Sequence, residues 1–253
     1  MKALRFRLSG KTGFFKQPDV NTYLYYTYGQ IHRVALLGLL GATLGYKGYN
    51  DKDRDKYPEF YKKLKDLKIS VVSEGNNGVF DRKLQAFNNS TAFASNEEGG
   101  NLIVKQVWLE NPSWLIYILL DNDQSDLIKE YILNKKTIFT PYLGTNDHMA
   151  NISDCEIVDI EKSDENIIDS LFWADDFKLR LKSKIYKYEE NLPFFLEEDT
   201  ERYIRIKTLA SNGEVRKKSD KNVIFEDLDN NLKLVFYSEE GIYETWFYSK
   251  KSE

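Results

Sequence analysis

Hydrophobic and polar positions alternate at the start of the chain. Leu4, Phe6 and Leu8 fall on one side of an extended segment and Arg5 and Arg7 on the other, as in a strand buried on one face. Nothing apolar accompanies the second side, so that basic face is expected to be open. The period changes over His32–Leu44, where Leu37, Leu40 and Leu44 recur at helical spacing and Gly38, Gly41 and Gly45 form a narrow strip. A glycine inside a helix costs about 1 kcal/mol relative to alanine, so such a strip implies close approach by a sheet or a ligand backbone. Phe60, Leu64 and Leu67 predict a surface helix within 51–68, and a strand follows over 68–73.

From 74 to 100 the chain is polar and rich in Gly, Asn and Ser, and the apolar runs LIVKQVWL and SWLIYILL come after it. An excursion of that length between strands usually has a function. Its flanks, FDRKLQAF and NLIVKQVWL, are expected to pair as the arms of a protruding hairpin over about 74–110. A helix is predicted over 123–134, capped by acidic and amide residues. PYLGTND at 141–147 reads as a turn and 156–160 as a strand. Beyond 175 the segments 178–188, 202–209, 222–226, 231–237 and 242–248 alternate in the β manner, with Asn212-Gly213 as a hairpin turn. The expected class is α+β, with a first part over 1–175 and a smaller β-rich part over 176–253.

Composition narrows the chemistry. The 253 residues are 42% hydrophobic and 30% charged, as in an ordinary folded domain. A single cysteine, Cys155, rules out an internal disulfide and suits a reducing cytoplasm. His32 and His148 are the only histidines, so no zinc site and no other metal or cofactor is expected. The longest apolar run, Val34 to Tyr46, is shorter than the roughly 20 residues that span a bilayer, so no membrane partner is expected. A net charge of −4 argues against a stand-alone nucleic-acid binder. The distribution qualifies that. Residues 1–33 carry Lys2, Arg5, Arg7, Lys11, Lys16 and Arg33 against Asp19, a net +5 that leaves −9 for the rest.

Each candidate has two readings. Arg5, Arg7, Lys11 and Lys16 surround a glycine-containing turn where cations and backbone N–H groups can meet phosphates, or they are a solvated strand edge. Tyr23, Tyr25, Tyr26 and Tyr28 offer rings for stacking on bases, although at least half should be core. His32 and Arg33 open the glycine helix and either contact an anion or cap and pack. Asn88, Asn89, Ser90 and Thr91 at the hairpin tip, with Lys83, Gln85, Lys105 and Gln106 on its arms, suit an RNA backbone or a bland loop. Lys178, Arg180, Lys182 and Lys184 share one strand face, which is either solvated or a contact surface. The acidic cluster Glu197 to Glu201 suits solvent or a basic partner better than a metal.

FRLSGKTGFFKQPD followed by GQIHRVALLGLLGATLGY resembles the N-terminal signature of the family of the CRISPR-associated protein numbered five. FNNSTAFASNEEGGNLIVKQVWLENPSWLIYI is similar to its thumb hairpin and returning strand, and PYLGTNDHMA to its P-x-L-G turn. The likeness covers about 1–160 and is closest to the type I-B branch. It implies a ferredoxin-like or RRM-like RAMP domain with a protruding thumb, in a cytoplasmic Cascade surveillance complex of antiviral defence. The subunit would bind the 5′ handle of the guide RNA without catalysis, touch the backbone and large subunits, and meet target DNA only indirectly. Two alternatives remain. One is a metal-independent endoribonuclease of the type I-C kind using His32, Tyr28 and Lys11, and the other a structural adaptor that contacts only protein.

Overall fold

The computed structural model describes residues 1–19, 23–50, 56–90, 96, 98, 100–180, 185–200 and 202–239. In chain order the elements are β1 (Lys2–Ser9), β2 (Thr12–Gly13), α1 (Arg33–Leu44), α2 (Glu59–Leu64), β3 (Ile69–Ser73), β4 (Arg82–Asn88), β5 (Ile103–Glu110), β6 (Ser113–Leu119), α3 (Asp123–Leu133) and β7 (Asn151–Ser163). Seven strands follow: β8 (Phe172–Trp173), β9 (Phe177–Leu179), β10 (Lys187–Leu196), β11 (Tyr203–Ser211), β12 (Val215–Lys217), β13 (Ile224–Asp227) and β14 (Leu232–Leu234). The class is α+β, with strands outnumbering helices.

Six antiparallel strands form the main sheet in the order β14-β13-β7-β1-β6-β3. Its ends nearly meet, because Tyr237 and Ile69 exchange backbone hydrogen bonds of 3.0 Å. The alternation read from the sequence decides what each face holds. Leu4, Phe6 and Leu8 join Ile116 and Ile118 in a core beneath α1, whereas Ala3, Leu115, Tyr117, Val158 and Leu234 fill the inside of the curl.

Helix α1 forms where expected because both ends are capped. His32 Nδ1 accepts from the Ala35 N–H, and Gly45 closes the helix in the left-handed conformation at φ +78°. The glycine strip is explained by a neighbouring helix: a Cβ on Gly41 would lie 2.4 Å from Phe60 Cβ of α2. Gly41→Ala gains helix propensity but overpacks this crossing, and the net loss expected is about 1–2 kcal/mol by denaturant unfolding. A gain in stability would show that α1 and α2 approach less closely. Helix α3 starts with a capping box between Asn122 and Ser125 and has Asp123 and Asp126 in its first turn.

Strands after residue 175 share these cores. β13 extends the main sheet through β7, while Leu192 and Leu196 of β10 join the core beneath α1. One expectation is corrected here. Asn212-Gly213 does not connect paired strands, since β11 pairs with β10 and β8, and β12 pairs with β9. Asn212 Oδ1 instead accepts from the Tyr186 N–H, so the amide anchors a crossing between sheets. The segments 181–184 and 242–248 lie outside the described residues, as do Lys182, Lys184 and Thr91.

Candidate nucleic-acid interface

A second, small sheet in the order β2-β5-β4 stands beside the main one. β4 and β5 form the expected hairpin, with Gln85 opposite Gln106 and Lys83 opposite Trp108. Directly opposed residues share a face, so Lys83, Gln85, Gln106 and Trp108 lie on one side of the ribbon, and Lys105 lies on the other with Leu84 and Ile103. Asn88 and Asn89 are exposed towards the tip, where Asn88 Oδ1 accepts from the Ser90 N–H and the Asn89 N–H donates to the Leu102 carbonyl.

The other edge of β5 gathers the glycine turn and the aromatic loop. Thr12 and Gly13 pair with Glu110 and Leu109, and Tyr25 hydrogen-bonds the backbone of Lys105 and Val107. Lys16 sits beside this junction with its ammonium 4.1 Å from the centroid of the Tyr25 ring. The P-L-G turn docks from below. The Phe14 N–H donates to the Leu143 carbonyl at 3.0 Å, His148 Nδ1 lies 2.7 Å from Thr12 Oγ1, and the His148 ring meets the edge of Trp108 at 4.6 Å. Burial pushes the His148 imidazole below its ordinary value. Two motifs separated by more than 120 positions therefore brace the root of the hairpin together.

Lys11, Lys16, Lys83 and Lys105 are exposed and have no acidic partner among the described residues. The arginines of β1 differ, and the open basic face read from the sequence is corrected. Arg5 pairs with Glu156, while Arg7 makes a bidentate bond to Glu74 at 2.9 and 3.0 Å and also meets Asp154. Burial pushes the Glu74 carboxyl up, but hydrogen bonds from Arg7 and Ser113 outweigh it and hold the group below its ordinary value. These arginines already have anions, contributed by β7 and by the residue that follows β3.

Tyr28, His32 and Arg33 are interior. Tyr28 is 2% exposed, and burial pushes its hydroxyl up to about 12, so it keeps its proton. His32 packs with Phe15, Tyr28 and Tyr203, and burial lowers it to about 3, assisted by the positive charge of Arg205. Its ring is neutral and Nδ1 accepts a hydrogen bond, so Nε2 carries the proton and neither nitrogen is free to act as a base. Arg33 donates to the Lys65 and Leu67 carbonyls and lies over the Phe194 ring, with burial lowering it to about 10. Lys11 belongs to different surroundings, its carbonyl accepting from the Asn111 N–H. His32, Tyr28 and Lys11 therefore do not assemble an acid–base pair.

Several residues at the interface carried no local signal. Glu190 accepts from Gln17, the Gly29 N–H and the Tyr188 hydroxyl, which fixes the aromatic loop against β10. Trp108 and Thr12 hold His148, and a tryptophan inside an apolar run reads only as core. Tyr23 and Tyr26 are exposed, Tyr25 is half-buried and Tyr28 is core, so alternation sorted this loop only in part. Lys178 is exposed on β9, and Arg180 next to it faces Glu214 at 3.8 Å. Glu198 of the acidic cluster pairs with Lys56 at 2.9 Å. Among the described residues no group of three or more His, Cys, Asp or Glu could hold a metal ion, and no helix is long and apolar enough to cross a membrane.

Taken together, the chain is an α+β protein with a curled antiparallel sheet and a lysine- and glutamine-bearing hairpin braced at its root. No family model matches the chain, and no curated protein matches it. A CRISPR protein from Archaeoglobus fulgidus superposes with a TM-score of 0.50 at 11% identity, over 94% of this chain and 99% of that one. A chain of a CRISPR RNA-guided surveillance complex superposes at 0.49 and 12% identity, over 85% of this chain and 91% of that one. The Archaeoglobus fulgidus likeness is one of fold.

Proposed function

We propose that this chain is a non-catalytic subunit of a type I CRISPR surveillance complex and binds the 5′ handle of the guide RNA. In this reading the curled sheet is an RRM-like RAMP domain and the β4–β5 hairpin is its thumb. One observation carries the proposal. The glycine turn, the Lys16–Tyr25 pair and the root of the hairpin share the edge of one small sheet, although the first and last lie about a hundred residues apart in sequence. Cations, amide side chains and an accessible ring along one ribbon suit a single-stranded sugar–phosphate track. The ordered motifs and the fold shared with a CRISPR protein give the track its context. Exposed Leu84, Phe87, Leu102 and Ile103 along the hairpin suit burial against the backbone or large subunit, because a two-stranded ribbon is marginal alone. His32, neutral and engaged as a cap, supports binding without cleavage.

The double variant Lys16→Glu/Lys83→Glu tests this directly. Single-stranded repeat RNA should bind about 30-fold more weakly at 0.15 M salt, and the slope of log affinity against log salt should fall by about 1.4, as expected for two lost phosphate contacts. Lys178→Glu serves as a control on a distant strand. Equal retention of guide RNA by the double variant and wild type would remove the proposal's basis.

A further inference from the structure

Beside the hairpin root lies a groove of about 870 Å³, a size that holds a drug-sized ligand. Its floor is the small-residue stripe of α1 formed by Ala35, Gly38 and Ala42, with His32 at one end, and its walls are aromatic. Tyr46, Tyr49, Phe139, Tyr142 and Tyr203 contribute rings, with Tyr142 44% and Phe139 56% exposed at the rim. The charge of the lining is one-sided. Among the described residues Lys16 and Lys47 line the groove and no Asp or Glu does, although Glu59 lies close by and accepts from the Lys47 backbone N–H at 2.8 Å.

We propose that this groove takes one unstacked nucleotide of single-stranded RNA, its base between the aromatic walls and its phosphate at Lys16. The inference rests on the RNA-binding reading and gives it a subsite. Three features favour a nucleotide over a protein segment. Two donors stand out among the polar groups that reach the groove: the exposed Lys16 ammonium, and the Nε2–H of His32, a side chain 95% buried whose Nε2 meets no hydrogen-bond acceptor among the described residues. An acceptor-rich base edge and phosphate match that set, whereas a peptide strand would need a backbone edge, and here a helix forms the floor. Lys16 lies over Tyr25, which bonds the backbone of β5, so a strand running along the hairpin reaches the groove without a gap. Stacking on aromatic rings tolerates any base, so the groove can hold a nucleotide whatever its identity.

The test uses the full chain and short single-stranded RNAs that carry 2-aminopurine at one position at a time. Wild type is expected to quench the fluorescence at one position. Gly38→Met projects into the groove, and its Cβ meets only Phe60 Cε2 at 3.8 Å, so the helix accommodates it. It should abolish the quench at that position and weaken binding about tenfold, the equivalent of one base stack, about 1.4 kcal/mol. Tyr142→Ser, at the exposed rim, should weaken the quench in a chain that keeps its unfolding midpoint. If both variants retain the quench while Lys16→Glu/Lys83→Glu still loses RNA, the groove proposal fails and the hairpin reading stands. No quenched position at all, with RNA bound normally, overturns it equally. If wild type binds no RNA, both fall.

Discussion

Gly144→Ala is expected to lower the unfolding midpoint by about 10 °C, a larger effect than that of Gly41→Ala. Gly144 has φ +90°, a left-handed conformation that side chains resist, and the added Cβ would lie 1.9 Å from the Phe14 carbonyl oxygen and 2.6 Å from its carbon. The obstacle is backbone and cannot rotate away. Relief requires the P-L-G turn to lift off the 12–15 segment. That breaks the Phe14–Leu143 hydrogen bond, exposes the fully buried Leu143 and separates His148 from Thr12. Strain and lost burial together suggest about 3–5 kcal/mol, and 2–4 °C per kcal/mol for a chain of this size gives the shift. Because the same turn braces the hairpin root, the proposed function also predicts weaker binding of guide RNA below the transition. Gly48→Ala is the control, since nothing lies within 4 Å of that Cβ. A midpoint for Gly144→Ala equal to the control would mean that the turn is not docked as described.

The second large effect is acid destabilisation through His32. Its imidazole is lowered from 6.5 to about 3 by burial and by the nearby Arg205 charge, with Tyr28 and Tyr203 as its other polar neighbours. Below pH 6.5 the unfolded chain takes up a proton that the folded chain refuses until about pH 3. Stability therefore falls as pH drops through that window and is unaffected by this group above it. At 1.36 kcal/mol per pH unit the loss between pH 7 and pH 4 is about 3 kcal/mol from this residue alone. Asparagine is a good N-cap and does not titrate, so His32→Asn should remove most of that pH-dependent loss, while the lost ring packing against Phe15, Tyr28 and Tyr203 costs about 1–3 kcal/mol at every pH. Denaturant unfolding at the two pH values measures it. An acid loss of the same size in His32→Asn would show that the ring is solvated.

The elements that emerged directly from the sequence are those whose causes are local. The alternation of Leu4, Phe6 and Leu8, the cap and Leu repeat of α1, the amide start of α3 and the two arms of the hairpin each depend on residues within a few positions. Their neighbours along the chain state them fully. The surface of the site depended on long-range contacts. Arg5 and Arg7 read as phosphate ligands until Glu74, Asp154 and Glu156, 67 to 151 positions away, arrive beside them. Tyr28, His32 and Arg33 read as polar contacts until the sheet and β10 enclose them.

The sequence by itself marked β1, α1, α3 and the two arms of the β4–β5 hairpin, and showed that cations concentrate near the start of the chain, whereas the long strand β10 at Lys187–Leu196 was not legible in it. Only the tertiary structure decided which of those cations keep their charge available. It also brought the glycine turn, the P-L-G turn and the hairpin root together, and opened an aromatic groove over α1. The reason is physical. Secondary structure follows from backbone sterics and periodicity over a few residues, whereas burial and ion pairing depend on which distant segments the fold brings into contact.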